Sequence, residues 1–286
     1  MANPRLIICP TPIGNLADMP PRALAALEEA DVVCAEDTRV TGKLLAAFGI
    51  EGKRLERLDE AMMAPKTADI LERVASGQTI AYCSDAGMPG VSDPGQRLVD
   101  AALDAGVPVE VLPGPTAVAT AYVSSGFTNP RFMFCGFFPR KASEGKSVLA
   151  ELASLDAVLL FYESPRRIAA ALQVVADAFP LRRVAVCREL TKLHEEVVRG
   201  SSGEVADIFA ARHQEGSIKG EIVLVIDAPG EEEAAAVHED SVASATDRAM
   251  ELLAAGELSK KDIAKRLKAE FGINRNEAYD LVMSLG

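Results

Sequence analysis

The chain has 286 residues, with 42 acidic and 30 basic side chains and a formal net charge of −12. That balance excludes a protein coated in nucleic acid over its whole surface, because sequence-independent binding needs lysine and arginine to displace counterions; a local basic surface stays open. No apolar run reaches the roughly 20 residues of a membrane span, and Met1-Ala2-Asn3-Pro4-Arg5 leads straight into a strand pattern, so no signal peptide is expected and the protein reads as cytoplasmic.

A chain of this length buries one substantial core and splits into two or three compact units. Strand-like runs at Leu6–Cys9, Val32–Ala35, Thr79–Cys83 and Pro108–Leu112 alternate with helical patterns at Pro21–Ala30, Thr41–Phe48 and Ala68–Ala75. The alternation predicts a parallel sheet covered by helices, in a first α/β domain over 1–115. Between the run Thr79–Cys83 and a helical pattern at Gln96–Ala105 lies Ser84-Asp85-Ala86-Gly87-Met88-Pro89-Gly90-Val91-Ser92-Asp93-Pro94-Gly95. This stretch forms the C-terminal lip of a strand, where open α/β sheets bind ligands. Its three glycines let backbone approach a ligand closely, and its two aspartates can hold hydroxyls or charge. The plainer reading is a tight turn that opens a helix.

Two phosphate-binding motifs are absent. After the first strand, Pro10-Thr11-Pro12-Ile13-Gly14-Asn15 offers one glycine where a dinucleotide fingerprint needs three. Gly145-Lys146-Ser147 supplies the tail of a phosphate loop, but Arg140 stands at its first glycine position. Nucleoside triphosphates and nicotinamide cofactors are therefore disfavoured.

A helix from Thr116 bridges to a second α/β domain over 116–227, with strands at Phe132–Phe134, Ala157–Phe161, Arg183–Cys187 and Glu221–Ile226 and helices at Pro165–Phe179 and Gly203–His213. Asp227, Glu231, Glu232, Glu233, Glu239 and Asp240 then crowd a stretch without lysine or arginine, which reads as a solvated acidic linker over 228–240. Beyond it, Ser241–Ala255, Ser259–Phe271 and Asn274–Leu285 predict a helical domain over 241–286, with caps at Ser241, Ser259 and Asn274 and breaks at Gly256 and Gly272. The last two segments resemble the two helices of a helix-turn-helix. Between Gly256 and Asn276, Lys260, Lys261, Lys265, Arg266, Lys268 and Arg275 outnumber Glu257, Asp262 and Glu270. RNA contact and a solvated basic face of a small bundle both fit. Five cysteines are scattered singly without C-x-x-C spacing and read as core thiols; His194, His213 and His238 lie far apart, so no metal is expected.

Taken together, Pro10–Leu16, Glu36-Asp37-Thr38-Arg39, Ser84–Gly95, Pro113-Gly114-Pro115-Thr116, Phe161-Tyr162-Glu163-Ser164-Pro165-Arg166-Arg167 and Lys219-Gly220-Glu221 form an ordered set. In order and spacing it closely resembles the tetrapyrrole-methylase superfamily and, within it, the ribosomal RNA small subunit methyltransferase I family. The resemblance runs from Leu6 to Ile226 and continues into the C-terminal helices. Relatives that modify tetrapyrroles typically carry G-x-G-P-G-D after the first strand, where this chain has Pro-Thr-Pro-Ile-Gly-Asn.

The resemblance implies two α/β domains enclosing S-adenosylmethionine in the cleft between them, a fold distinct from the Rossmann methyltransferases. It also implies a homodimer, and 2′-O-methylation of a cytidine ribose in the decoding centre (P-site region) of 16S rRNA. The partner would be 16S rRNA or the small ribosomal subunit, with no DNA and no membrane. Carried over by position, cofactor contacts fall on Ile13 and Gly14, on Asp85, Ala86, Gly87, Met88 and Val91, on Thr116 and Ala117, and on Tyr162, Leu190, Gly220 and Glu221.

Transfer to a ribose hydroxyl is an in-line displacement. Positioning can supply about 7–11 kcal/mol, and a general base typically ~10²–10⁴-fold. Glu36, Asp37 and Glu189 are the base candidates; Arg39, Arg166, Arg167 and Lys192, with Lys260, Lys261, Lys265, Arg266 and Arg275, are the RNA-binding candidates. Glu36 to Arg39 reads equally as a helix N-terminus capped by Thr38. Two rivals remain. A tetrapyrrole C-methyltransferase would not need the appended helices, and a non-enzymatic RNA-binding protein would rest on those helices alone and bind no cofactor.

Overall fold

A computed structural model describes residues 4–286; Met1, Ala2 and Asn3, the start of the segment expected to lead into the first strand, lie outside the described residues. Strand and helix alternate through β1 (Leu6–Ile8), α1 (Pro21–Glu29), β2 (Val32–Ala35), α2 (Thr38–Ala47), β3 (Leu55–Arg57), α3 (Glu60–Ala75), β4 (Ile80–Cys83), α4 (Gly95–Asp104) and β5 (Val109–Val111). The five strands pair in parallel in the order β3-β2-β4-β1-β5. β1, β2 and β4 are buried on both faces, which is why they read as unbroken apolar runs. Leu6, Ile8, Cys34 and Tyr82 pack into the layer on one side, and Ile7, Cys9, Val33 and Cys83 into the layer on the other. β3 gave no apolar signal because its Leu-Glu-Arg lies at the sheet edge.

The strand order contains a reversal. The chain leaves β1 toward β2 on one side and leaves the adjacent β4 toward β5 on the other. The carboxyl ends of β1 and β4 therefore flank an open crevice, the topological switch point at which α/β sheets take ligands.

The second sheet follows α5 (Ala117–Ser125) and comprises β6 (Phe132–Phe137), β7 (Val158–Glu163), β8 (Arg183–Arg188), β9 (Glu196–Ser201) and β10 (Ile222–Ile226), with α6 (Ala142–Leu152), α7 (Ile168–Ala178) and α8 (Ser202–Gln214) between them. Its order is β6-β7-β10-β8-β9, parallel only between β6 and β7. One face packs on α6, α7 and α8 through Leu159, Phe161, Val186 and Leu224. The other face, with Leu160, Ala185, Cys187 and Val223, receives α5 and Ile13 of the first unit. Sequence periodicity missed β9, a polar edge strand, and α6, whose Gly145 takes the ring of Phe138: a Cβ there would lie 3.1 Å from its Cε1. Cys9, Cys34, Cys83 and Cys187 are buried free thiols, as expected of core cysteines, and Cys135 is partly buried.

The acidic stretch is not a linker. Residues 231–240 open α9 (Glu231–Ala255), capped by Gly230, so that Ser241 lies inside a helix and caps nothing. Glu231, Glu232 and Glu233 sit on the positive end of the helix dipole, which favours acids in the first turn. Glu233 also pairs at 2.8 Å with Arg182, whose side chain is wholly buried. Arg182 donates to the Ala153 carbonyl at 2.6 Å and stacks 3.7 Å above the Phe179 ring. α9 packs with α10 (Lys260–Phe271) and α11 (Arg275–Leu285) around Ala249, Ile263, Leu267 and Val282. Ser259 and Asn274 cap these last two helices as expected.

The pair locks α9 to the second sheet's helical layer. Arg182→Ala leaves a carboxylate buried without its partner and should lower the unfolding free energy by about 3–5 kcal/mol, measured by urea denaturation. Leu181→Ala, at a side chain 67% exposed, should stay within about 0.5 kcal/mol of wild type in the same measurement.

Candidate active site

The loops after β1 and β4 are joined by two backbone hydrogen bonds. The Thr11 N–H donates to the Gly87 carbonyl at 2.9 Å, and the Gly87 N–H donates to the Thr11 carbonyl at 3.1 Å. Gly87 has φ +81, and a Cβ on it would stand 3.0 Å from Ile13 Cγ2 and 3.4 Å from the Pro115 carbonyl oxygen. Three loops therefore meet where only glycine fits. Further along the β4 loop, Asp93 Oδ1 accepts from the N–H groups of Gly90 and Gly95, both at 2.8 Å. Ser92 beside it holds φ +69, a conformation that costs a non-glycine residue of order 1–3 kcal/mol.

The β2 loop ties into the same region. Asp37, not Thr38, caps α2: its carboxylate accepts from the Arg39 N–H at 2.8 Å, while Thr38 is the first helical residue. The Arg39 guanidinium grips the same carboxylate from Nε at 3.0 Å and Nη2 at 2.6 Å. Asp85 Oδ1 accepts from the Asp37 N–H at 3.0 Å, and Glu36 Oε2 accepts from the Asp85 N–H at 3.4 Å.

Between these loops and the second sheet lies a cavity of about 420 Å³. Ile13, Ala86, Gly87, Met88, Val91, Thr116, Ala117, Tyr162, Leu190, Gly220 and Glu221 line it, together with the base candidate Glu36. Gly14 and Asp85 stand outside that lining. Gly14 marks where a strap between β8 and β9 crosses the β1 loop, since a Cβ on it would come 2.5 Å from Lys192 Cγ. Lys192 Nζ pairs with Glu189 at 2.8 Å and Glu221 at 2.9 Å. Gly220, at φ +92, presses so closely on Glu189 that a Cβ would lie 2.4 Å from its Cδ. Lys192 therefore faces inward and is spent on the strap.

Sequence reasoning did not single out Ser84, Ser92, Asp93, Phe137, Glu163, Ser164, Pro165, Cys187, Ile222 or Val223 as contacts, and all of them line the cavity. Ser84 and Asp93 lie inside the conspicuous glycine-rich stretch. Cys187, Ile222 and Val223 read as strand core, and only the pairing of Val223 with both Tyr162 and Cys187 brings them to the cleft. The Ser84 hydroxyl is buried without a protein partner.

The charged side chains lining the cavity are Glu36, Asp93, Glu163 and Glu221, with no lysine or arginine among them. Burial pushes the Glu36 carboxyl above the ordinary carboxylate range, and the neighbouring Asp85 and Asp93 push it further. Asp85 is raised chiefly by burial. Asp37 moves the other way, held far below the usual range by the Arg39 guanidinium and backbone N–H. Glu189 is lowered by Lys192 and then by the Glu221 N–H. Burial raises the Tyr162 phenol to about 12.

Among the RNA-binding candidates, Arg166 is exposed, whereas Arg167 turns inward to Glu163 at 2.6 Å. Arg39 is exposed but occupied by Asp37. Lys260, Lys261, Lys265 and Arg275 are exposed on α10 and α11, and Arg266 pairs with Glu270 at 2.7 Å.

The sequence profile of the tetrapyrrole (corrin/porphyrin) methylases matches residues 5–206. A ribosomal RNA small subunit methyltransferase I of Mycobacterium bovis is 43% identical over 285 residues, 99% of this chain and 96% of that protein. The chain belongs to the tetrapyrrole methylase family and, within it, to the ribosomal RNA small subunit methyltransferase I family. A protein of the same name from a Hydrogenobaculum species is 42% identical over 78% of this chain and 95% of its own length. The solved uroporphyrin-III C-methyltransferase of Thermus thermophilus, complexed with S-adenosylhomocysteine, shares the fold at a TM-score of 0.52 and 18% identity, over 78% of this chain and 97% of that one. The chain is thus a methyltransferase, and the cleft between its sheets is its candidate active site.

In this methyltransferase Gly87→Val should lower the melting temperature by several degrees, because the new side chain meets Ile13 and the left-handed backbone disfavours it. Gly203→Ala, in α8 with open space around it, should raise stability by about 0.5–1 kcal/mol. Differential scanning calorimetry on the two variants checks both signs.

Proposed function

We propose that the enzyme transfers a methyl group from S-adenosylmethionine to the ribose 2′-hydroxyl of a cytidine in the decoding centre of 16S rRNA. The observation that carries this reading is the cavity's charge: four carboxylates and no cation line it. Such a lining suits a ligand with a sulfonium and an ammonium group. It opposes a tetrapyrrole bearing several carboxylates, and it opposes a phosphate-bearing cofactor. The fit extends to shape, with the glycine backbone at 87 open to close approach and the unpartnered Ser84 hydroxyl left to meet a polar group. When bound, S-adenosylmethionine supplies a methyl carbon activated by its sulfonium. The name of the mycobacterial relative supports rRNA as the acceptor.

The three base candidates differ in what surrounds them. Asp37 is neutralised by Arg39 and occupied as a helix cap, and Glu189 is tied into the strap by Lys192. Glu36 alone of the three lines the cavity and has its proton affinity raised. We therefore assign it the proton of the 2′-hydroxyl, which its carboxylate accepts as the ribose oxygen attacks the methyl carbon. A raised carboxylate pKa means that the folded state binds a proton more tightly than the unfolded state. The associated stability is fully present below the unfolded value and is lost as pH rises through the folded one.

Glu36→Gln should lower the single-turnover rate on unmethylated small subunits by ~10²-fold or more at neutral pH, without loss of stability there. Asp37→Asn should remain within a few-fold in rate. A Glu36→Gln rate equal to wild type removes the base assignment, and absence of 2′-O-methyl from the mapped rRNA product removes the reaction itself.

The exposed bases of α10 and α11 supply the sequence-independent part of rRNA binding. Replacing Lys260, Lys261, Lys265 and Arg275 with alanine should weaken association and flatten its dependence on salt, because each lost phosphate contact releases fewer counterions. Filter binding across a salt series reads both quantities, and calorimetry should find affinity for the methyl donor unchanged.

A further inference from the structure

β6 and β7 pair regularly except at one place. Phe132, Met133 and Phe134 oppose Val158, Leu159 and Leu160, after which three residues, Cys135 to Phe137, span the distance of two, so that Phe137 opposes Tyr162. Gly136 absorbs the extra residue at φ +75, with open space where a side chain would stand. In unbroken pairing Gly136 would face Tyr162, and Phe137 would point to the other side of the sheet. The bulge therefore delivers a phenyl ring to the cavity side. That ring meets Tyr162 edge-on, with centroids 5.5 Å apart and planes at 67°.

Phe138, the next residue, is buried in the helix-covered core, yet Phe137 remains 62% exposed while lining the cavity. Its surroundings differ in charge from the interior. Arg140 and Arg166 are exposed and make no ion pair among the described residues. Arg167 Nη2 donates to the Phe138 carbonyl at 3.4 Å, which draws the turn carrying Arg166 up to the end of β6. Carboxylates line the cavity, and an open aromatic face with two free guanidinium groups stands at its rim.

We infer that Phe137 is the platform on which the base of the target nucleotide stacks, with the flanking phosphates held by Arg140 and Arg166. This rests on the RNA reading above. Single-stranded RNA is commonly held by stacking of splayed bases on aromatic side chains and by arginine at phosphates. A base stacked at the rim presents its own ribose toward the cavity, where Glu36 stands.

Initial rates on small subunits lacking the methyl group test this, with wild type, Phe137→Leu and Phe137→Trp compared at saturating S-adenosylmethionine. Phe137→Leu keeps apolar bulk without a ring face and should raise KM for the subunit about tenfold or more, the size of one lost base–aromatic stack. Phe137→Trp should return KM to within a few-fold of wild type. Calorimetric affinity for S-adenosylmethionine and the oligomeric state by sedimentation should be the same for all three proteins. An unchanged KM for Phe137→Leu with an active wild type overturns the platform alone. So does a loss confined to cofactor affinity, or a change in oligomeric state that accounts for the KM. Wild type inactive on these subunits overturns the RNA reading and the platform with it.

Discussion

The paired hydrogen bonds between Thr11 and Gly87 hold the site together. They join the two loops that diverge at the switch point of the first sheet, and they close only because Gly87 adopts φ +81 without a Cβ to strike Ile13 or the Pro115 carbonyl. From that junction the other parts follow. The β5 loop delivers Thr116 and α5 to the second sheet, Ile13 seats itself in that sheet's core, and the β4 loop spreads its backbone along the cavity. A backbone pair suits this role because its geometry does not depend on a flexible side chain.

Around the junction, one residue type is sorted into different tasks by its surroundings. Asp37 is pulled down by a guanidinium and caps a helix; Glu189 is pulled down by an ammonium and anchors a strap; Glu36 and Asp85 are pushed up by burial. Groups whose environments drive their proton affinities apart are those that can divide acid–base labour. The strap carries strain of its own, with Glu189 at φ +51 and Thr191 at φ +67. Lys192, buttressed by two carboxylates and lying over Gly14, keeps that strap against the first unit.

The second sheet contributes by irregularity as well as by regular pairing. Its antiparallel centre brings Cys187, Val223 and Tyr162 side by side at the cleft, and the bulge in β6 turns Phe137 to the same face. On its opposite face Arg182 reaches from the sheet's helical layer to Glu233 and fixes the start of α9. Glu231 to Glu233 thereby do two jobs, favouring the helix start and supplying the buried partner. Low sequence hydrophobicity concealed both, because a run of acids without bases looks the same whether it is solvated or docked on a single arginine.

The chain's order of apolar runs and glycine-rich turns was enough to place β1, β2, β4 and the loop from Ser84 to Gly95, since strands buried on both faces must be continuously apolar and a ligand-approaching loop must be low in bulk. The motif order also carried the family resemblance, and most residues assigned by it to the cofactor do line one cavity. Three further matters were decided by tertiary structure: that Asp37 and Arg39 satisfy each other, that Arg167 and Lys192 turn inward, and that the acidic stretch is helix. Each depends on a partner far away in the sequence or on the direction of a side chain. Periodicity records only which residues face an interior, whereas charge pairing depends on which partner the fold brings within about 3 Å.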